Sequence, residues 1–294
     1  MNYIAIHLFP HEVYDYQRII TQLNKSIKQV DKPDNFKIIS YLNSNPSIIC
    51  KESYNHPTLS NLIDLYLAVS IESKIDVQLL DTDAKILGVN DFRRKILSIT
   101  DDNNYITFLD CDIHFTLNIL KSIEFTTNKV SKFLKDFVIT PTTLRLWDKT
   151  WDYIVADQYK KTELNYYKNA NIETEISNFK HEYNLKPIPT FKWGGGWFTT
   201  ISAKLAKYIN IPSKFVGYGV DDTFIMEGCK HLKKSGTRIQ QYVMTDTLVC
   251  ESIKEENFNV HFLKETTYLK KQSEQCFVSE IEKLKVKIKK TPYI

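Results

Sequence analysis

From Tyr3 to Asp112 the chain alternates short β-rich runs with helical stretches, and the alternation ends on two carboxylates. The β-rich runs are Tyr3–Phe9, Phe36–Leu42, Val77–Leu80 and Tyr105–Leu109; helical spacing covers about Glu12–Gln29, Thr58–Ser73 and Asn90–Ile99 between them. Parallel strands need a long crossover, usually a helix, so this rhythm predicts βαβ units. The expected fold class is α/β, a mixed and mainly parallel sheet flanked by helices. In such sheets ligands bind outside the carboxyl ends of the strands, so the residues directly after each run carry the functional information.

The chain has 294 residues, 43 % of them hydrophobic, which is enough for a sizeable core. Its net charge of +4 does not by itself direct it to nucleic acid or membrane. The five cysteines, Cys50, Cys111, Cys229, Cys250 and Cys276, are widely spaced without a CxxC pair and read as reduced thiols. Met1 leads straight into a short apolar run with no charged leader, and no segment reaches the length of a membrane span, so a soluble cytoplasmic protein is expected.

The run Tyr105-Ile106-Thr107-Phe108-Leu109 ends in Asp110-Cys111-Asp112. In extended backbone residues i and i+2 face the same side, so Asp110 and Asp112 can point together at one ligand. Oxygen-only ligands suit a hard divalent cation, Mg2+ or Mn2+, which keeps waters and bridges substrate phosphates. Asp81-Thr82-Asp83 has the same spacing after another apolar run, and aspartates at strand ends also simply cap turns. The longer β-branched and aromatic run favours Asp110 and Asp112 as the metal site and leaves Asp83 as a donor-side contact.

Five of the eight glycines fall at 194, 195, 196, 217 and 219. Gly194-Gly195-Gly196 lets the backbone approach a ligand closely, and Gly217-Tyr218-Gly219 shapes a loop that presents Asp221 and Asp222; ordinary tight turns are the alternative. All four tryptophans, Trp147, Trp151, Trp193 and Trp197, lie between the acidic pair and that loop. An aromatic face suits the C–H face of a pyranose, which makes Trp197 the expected sugar platform, whereas Trp147 and Trp151 are expected to pack. Asp221 and Asp222 precede the apolar helix start Thr223-Phe224-Ile225-Met226. Carboxylates there can cap the helix, and one can cap while the other accepts the proton of an acceptor hydroxyl.

In order, Tyr105–Asp112, Trp193-Gly194-Gly195-Gly196-Trp197 and Gly217-Tyr218-Gly219-Val220-Asp221-Asp222-Thr223 resemble the motifs of inverting GT-A glycosyltransferases. The likeness is greatest to the β-1,4-galactosyltransferase type and its bacterial polysaccharide-synthesising relatives. It covers roughly residues 77–265 and takes in Ala84-Lys85-Ile86-Leu87-Gly88-Val89, which looks like the family's helix near the nucleotide. It implies a GT-A-like fold, a Mn2+ or Mg2+ cofactor, a UDP-sugar donor and a carbohydrate acceptor, with no nucleic-acid partner. It further implies Asp112 as principal metal ligand, Asp110 as a donor-ribose or water-mediated metal contact, and His261 as the residue completing the metal site. Asp83, Lys85, Arg93, Asp110, Gly195 and Gly196 are then donor-binding, and Trp197, Tyr218, Gly219 and Asp221 acceptor-binding. Asp222 is the implied general base, with Asp221 beside it. Asp221 stands where the family commonly has glutamate, Tyr218 replaces a usual tryptophan, and the family's first-strand motif is missing.

The expected function is metal-dependent transfer of a hexose from a UDP-sugar to a glycan hydroxyl with inversion. The alternatives are a retaining glycosyltransferase, a nucleotidyltransferase on a similar sheet, and a catalytically inactive carbohydrate-binding protein. Residues 1–264 are expected to form the catalytic domain, with 1–115 the nucleotide-sugar-binding half and 116–264 the acceptor-binding half. Ala156–Lys186, polar and without apolar periodicity, reads as an insertion or mobile loop. Phe277, Ile281, Leu284 and Ile288 recur at 4-3-4 spacing among lysines, which predicts a basic amphipathic helical tail over 265–294. Such a helix can lie on an anionic membrane, bind a partner or pack on its own domain; the short stripe without tryptophan favours packing.

Overall fold

The computed structural model describes residues 1–45, 47–49, 57–81, 86–144, 153–160, 171–188, 198–217, 219–251, 267–291 and 293. The first half follows the expected alternation: β1 (Asn2–Leu8), α1 (Val13–Ser26), β2 (Phe36–Leu42), α2 (Pro57–Ile71), β3 (Val77–Leu79), α3 (Val89–Ile99) and β4 (Tyr105–Leu109). The helix expected from Glu12 to Gln29 is flanked by 3₁₀ turns at Pro10–Glu12 and Ile27–Gln29. Pro10 suits the start of the first turn because its missing N–H has no helical partner there. The second half supplies β5 (Ile113–Phe115), α4 (Ile119–Val130), β6 (Asp136–Thr143), α5 (Ile172–Asn178), β7 (Leu185–Ile188) and β8 (Phe198–Ser202). It continues with α6 (Ala203–Ile209), α7 (Asp221–Lys234), β9 (Ile239–Glu251) and α8 (Thr267–Lys290).

The described strands form one mixed sheet in the order β3-β2-β1-β4-β8-β6-β9-β5, with β7 also paired to β9. Strands β3, β2, β1 and β4 run parallel. Beyond them β8 is antiparallel to β4 and β6, β6 and β9 are parallel, and β5 and β7 are antiparallel to β9. The chain leaves β1 on one side through β2 and β3 and returns on the other side as β4. That reversal is a topological switch point, and the crevice at the carboxyl ends of such a strand pair is where α/β sheets bind ligands.

Alternation along the strands loads both faces of the sheet. Ile4, Ile6 and Leu8 of β1 enter a core shared with α1, α2 and α4, while Ala5 enters one shared with α3, α6, α7 and α8. The stripe Val13, Tyr16, Ile19, Ile20 and Leu23 is what seats α1 on the first core.

One sequence expectation changes. The described part of Ala156–Lys186 holds α5 and β7, and its Tyr159, Ile172 and Phe179 form a small core with Leu144, Val155, Ala156, Leu248 and Cys250. These apolar residues come singly from short elements, so no periodic signal announces them. The C-terminal helix, Thr267–Lys290, falls within the expected 265–294, and Ile281, Leu284 and Ile288 are buried in the same core as α7. Phe277 stacks on Phe215 with ring centroids 6.2 Å apart. The stripe therefore packs against its own fold. Among the described residues no helix is long and apolar enough to cross a membrane, and Cys111, Cys229, Cys250 and Cys276 are free thiols; Cys50 lies outside the described residues.

Candidate active site

A cleft of about 230 Å3 opens at the switch point. The carboxyl end of β1 with the residues beyond it (His7, Phe9, Glu12) and the residues after β4 (Asp110, Cys111, Asp112) form two of its walls. Arg93 of α3, Gly219, Asp221 and Asp222 at the start of α7, and Glu251 at the end of β9 complete the rim.

Because β4 ends at Leu109, Asp110 and Asp112 sit on the turn into β5 rather than on extended strand. They still share the cleft. Cys111 between them is 1 % exposed and belongs to the core; burial, reinforced by neighbouring carboxylates, pushes its thiol well above the usual range. Arg18 of α1 braces the turn: Nη1 donates to the Ile113 carbonyl at 2.5 Å, and Nη2 to the Cys111 carbonyl at 3.0 Å and to Asp15 at 2.9 Å. Both carbonyls that flank Asp112 are thus held by one guanidinium.

Arg93, expected at the donor, is buried and bonded to carboxylates. Its Nη1 donates to Asp221 at 2.6 Å and its Nη2 to Asp110 at 3.4 Å, while its Cζ lies 5.0 Å from the centre of the Phe108 ring. Burial opposes its charge, but Asp221, Asp110 and Asp222 outweigh that and raise its pKa. Asp221 is only 3 % exposed. Asp221 thus lines the cleft with its Oδ2 held by Arg93.

Asp222 lines the cleft and accepts the Thr223 N–H at 2.6 Å and the Thr223 hydroxyl at 3.2 Å. Burial, then the Asp221 charge, raises its carboxyl above the ordinary range. Neither aspartate is the helix cap, which is Val220, but both lie in the first turn, where the helix dipole favours negative charge. Val220 has φ +60°, a left-handed conformation that a β-branched residue adopts only under constraint. Part of that constraint comes from α3. Asn90 donates its backbone N–H to Gly217 O at 3.2 Å and its Nδ2 to Gly219 O at 3.0 Å. Asp91 accepts the Gly217 N–H at 3.1 Å and pairs with Arg94, which also bonds the Pro212 and Phe215 carbonyls at 2.9 and 2.8 Å. Gly88 packs so closely that a Cβ on it would lie 2.1 Å from Gly217 O.

Among the described residues six carboxylates line the cleft, Glu12, Asp110, Asp112, Asp221, Asp222 and Glu251, and Arg93 is the only lysine or arginine. Burial and the Arg93 charge push His7 down to about 3, so it adds no positive charge at neutral pH. Such an acidic lining opposes an anionic substrate unless a cation offsets its charge. Among the described residues no three His, Cys, Asp or Glu side chains form a closed metal cage. The oxygen-only donors Asp110 and Asp112 fit a hard cation that takes its remaining ligands from water and substrate.

The fold therefore brings together Asp110, Asp112, Arg93, Gly219, Asp221 and Asp222. Asp83, Lys85, Gly195, Gly196, Trp197, Tyr218 and His261 lie outside the described residues, as do Trp147, Trp151 and Trp193. Sequence reasoning missed His7, Phe9, Glu12 and Glu251. The first three lie at or just beyond the carboxyl end of β1, where the carboxyl-end rule already pointed.

No family model and no curated protein matches the chain. Among solved structures, GalNAc-T7 with UDP, GalNAc and Mn2+ is similar at 9 % identity, over 87 % of this chain and 44 % of that one, with a TM-score of 0.49. The mannosyltransferase PcManGT from Pyrobaculum calidifontis, in complex with GDP-Man and Mn2+, is similar at 9 % identity over 88 % of this chain and 58 % of that one, TM-score 0.47. Glucosyl-3-phosphoglycerate synthase from Mycobacterium tuberculosis, in complex with Mn2+, UDP-glucose and phosphoglyceric acid, is similar at 11 % identity over 96 % and 80 %, TM-score 0.47. The chain spans less than half the length of the first of these and somewhat over half of the second.

Proposed function

We propose that this chain is a metal-dependent glycosyltransferase of GT-A-like fold that transfers a hexose from a UDP-sugar to a glycan hydroxyl with inversion. The observation that carries the reading is the convergence, in one switch-point crevice, of the Asp110–Asp112 turn and the Asp221–Asp222 helix start, joined through Arg93. The cleft draws on both proposed halves of the catalytic domain: His7, Arg93, Asp110 and Asp112 from the donor half, and Gly219, Asp222 and Glu251 from the acceptor half.

Asp112 and Asp110 would hold Mn2+ or Mg2+, which when bound supplies positive charge to the departing diphosphate. Each protein group then has a distinct task. Arg18 fixes the backbone on either side of Asp112, and Arg93 fixes Asp110 relative to the start of α7. Asp222, its carboxyl raised by burial and by Asp221, accepts the acceptor proton as the hydroxyl attacks the anomeric carbon. Attack from the face opposite the leaving group requires inversion.

The test is a panel of nucleotide sugars with and without Mn2+, read first by thermal shift, since a ligand bound by the folded state raises apparent stability. Transfer to a glycan acceptor follows, with the anomeric configuration of the product read by NMR. A metal-dependent shift with UDP-sugars and an inverted product are expected. Retention of configuration would remove Asp222 as base, and release of pyrophosphate would make the protein a nucleotidyltransferase.

A further inference from the structure

We propose that the first turns of α8 belong to the catalytic apparatus and are not an appendage. Leu269 and Ser273 hold the Gly217–Asp222 loop in the strained form that keeps Asp222 in the cleft, which makes Leu269 a positioning residue. The inference rests on the reading of Asp222 as general base.

The α3 contacts grip only one side of the loop. On the other side lies α8. Leu269 is 3 % exposed and shares a small apolar cluster with Phe9 and Ile48, against which Leu87 and Val216 pack. Phe9 is itself a cleft wall. A Cβ on Gly217 would meet Leu269 Cδ1 at 2.7 Å, and one on Gly219 would meet Lys270 Cγ at 3.1 Å, so α8 side chains lie directly on both glycines. Fully buried Ser273 adds a long hydrogen bond from its hydroxyl to the Val216 carbonyl, 3.4 Å.

Gly217 and Gly219 have no side chains of their own with which to resist backbone relaxation at those two positions. Val220 at φ +60° stays in the left-handed region only while its surroundings over-determine it. The brace at Leu269 is separable from the anchor of the same helix, because Ile281, Leu284 and Ile288 pack three turns or more further on, in the core shared with α6 and α7. A mutation at either end loosens the helix, but the α8 side chains that lie on the two loop glycines are Leu269 and Lys270, at its start.

The experiment compares Leu269→Ala with Leu284→Ala in the full chain. Both are expected to lower Tm. Leu269→Ala should also lower kcat by about 10- to 100-fold, the scale of a small misplacement of a reacting group, with Mn2+–UDP affinity within about twofold of wild type. Amide exchange over residues 216–222 should quicken by about tenfold as the loop opens locally. Leu269→Met should restore both, and Leu284→Ala should change neither. Should Leu269→Ala fail to fold, Ser273→Ala carries the same expectations at reduced size. Unchanged exchange in the loop, or equal losses of kcat at Leu269 and Leu284, would overturn the proposal. If the wild-type protein transfers no sugar, the functional reading fails instead, and the exchange comparison still decides whether α8 braces the loop.

Discussion

One guanidinium joins the first members of two acidic motifs, 111 residues apart in sequence: Arg93 Nη1 lies 2.6 Å from Asp221 and Nη2 lies 3.4 Å from Asp110. The turn after β4 and the start of α7 are thereby held in register by a charge that is only 4 % exposed.

Removing that charge strands a buried carboxylate. Arg93→Leu should cost about 3–5 kcal/mol in urea unfolding, the usual penalty for breaking one side of a buried pair. The double variant Arg93→Leu/Asp221→Leu should recover most of the stability without recovering donor affinity. Arg93→Lys should rescue poorly, because one ammonium cannot span two carboxylates as a planar fork does. A stability change under about 1 kcal/mol in Arg93→Leu would mean that the bridge is not structural. Asp221→Asn, by the same geometry, should act on stability and donor binding rather than on acceptor KM.

Asp222→Asn preserves size but removes basicity. It should lower kcat by about 10²-fold or more while donor binding changes little. Burial and Asp221 raise the Asp222 carboxyl, so the acid limb of the wild-type rate profile should fall above the ordinary carboxylate range. The linked stability has a definite sign: the folded state holds this proton more tightly than the unfolded chain. The contribution is full below the unfolded pKa and is lost as pH rises through the raised value. Near-normal turnover in Asp222→Asn, with donor affinity collapsed, would make Asp222 a donor-site residue.

Metal dependence should follow Asp112. Asp112→Ala should abolish Mn2+-dependent binding of a UDP-sugar in a calorimetric titration, whereas Asp83→Ala should leave it intact. His261→Ala should weaken metal affinity less than Asp112→Ala does. Arg18→Met, which frees the Cys111 and Ile113 carbonyls, should weaken Mn2+ binding by about tenfold, in the range found for groups that orient metal ligands. Identical titrations for the Asp112 and Asp83 variants would reassign the metal site.

His7 should report acid sensitivity. Its folded pKa is pushed down to about 3, first by burial and then by Arg93, from an ordinary value near 6.5. Stability from this group is therefore full above about pH 6.5 and is lost as pH falls toward 3, because the unfolded chain binds the proton first. His7→Gln should flatten the stability profile between those limits. A profile as steep as wild type would place the acid sensitivity elsewhere.

The sequence by itself determined the alternation from β1 to β4, because apolar runs of strand length and helices of periodic spacing declare themselves over a few residues. It also determined that Asp110 and Asp112 end a buried strand and that two glycines precede Asp221 and Asp222. The second half was less legible. Residues such as Tyr159, Ile172 and Phe179 reach the core singly, and the first turns of α8 carry Leu269 and Ser273 without a stripe. Only the tertiary structure decided that Arg93 bridges two acidic motifs, that Asp221 and Asp222 both reach the cleft, and that His7, Phe9 and Glu251 share its wall. Those outcomes depend on which strand ends the switch point gathers and on which charges burial forces into pairs, and both are set by contacts between residues far apart in the chain.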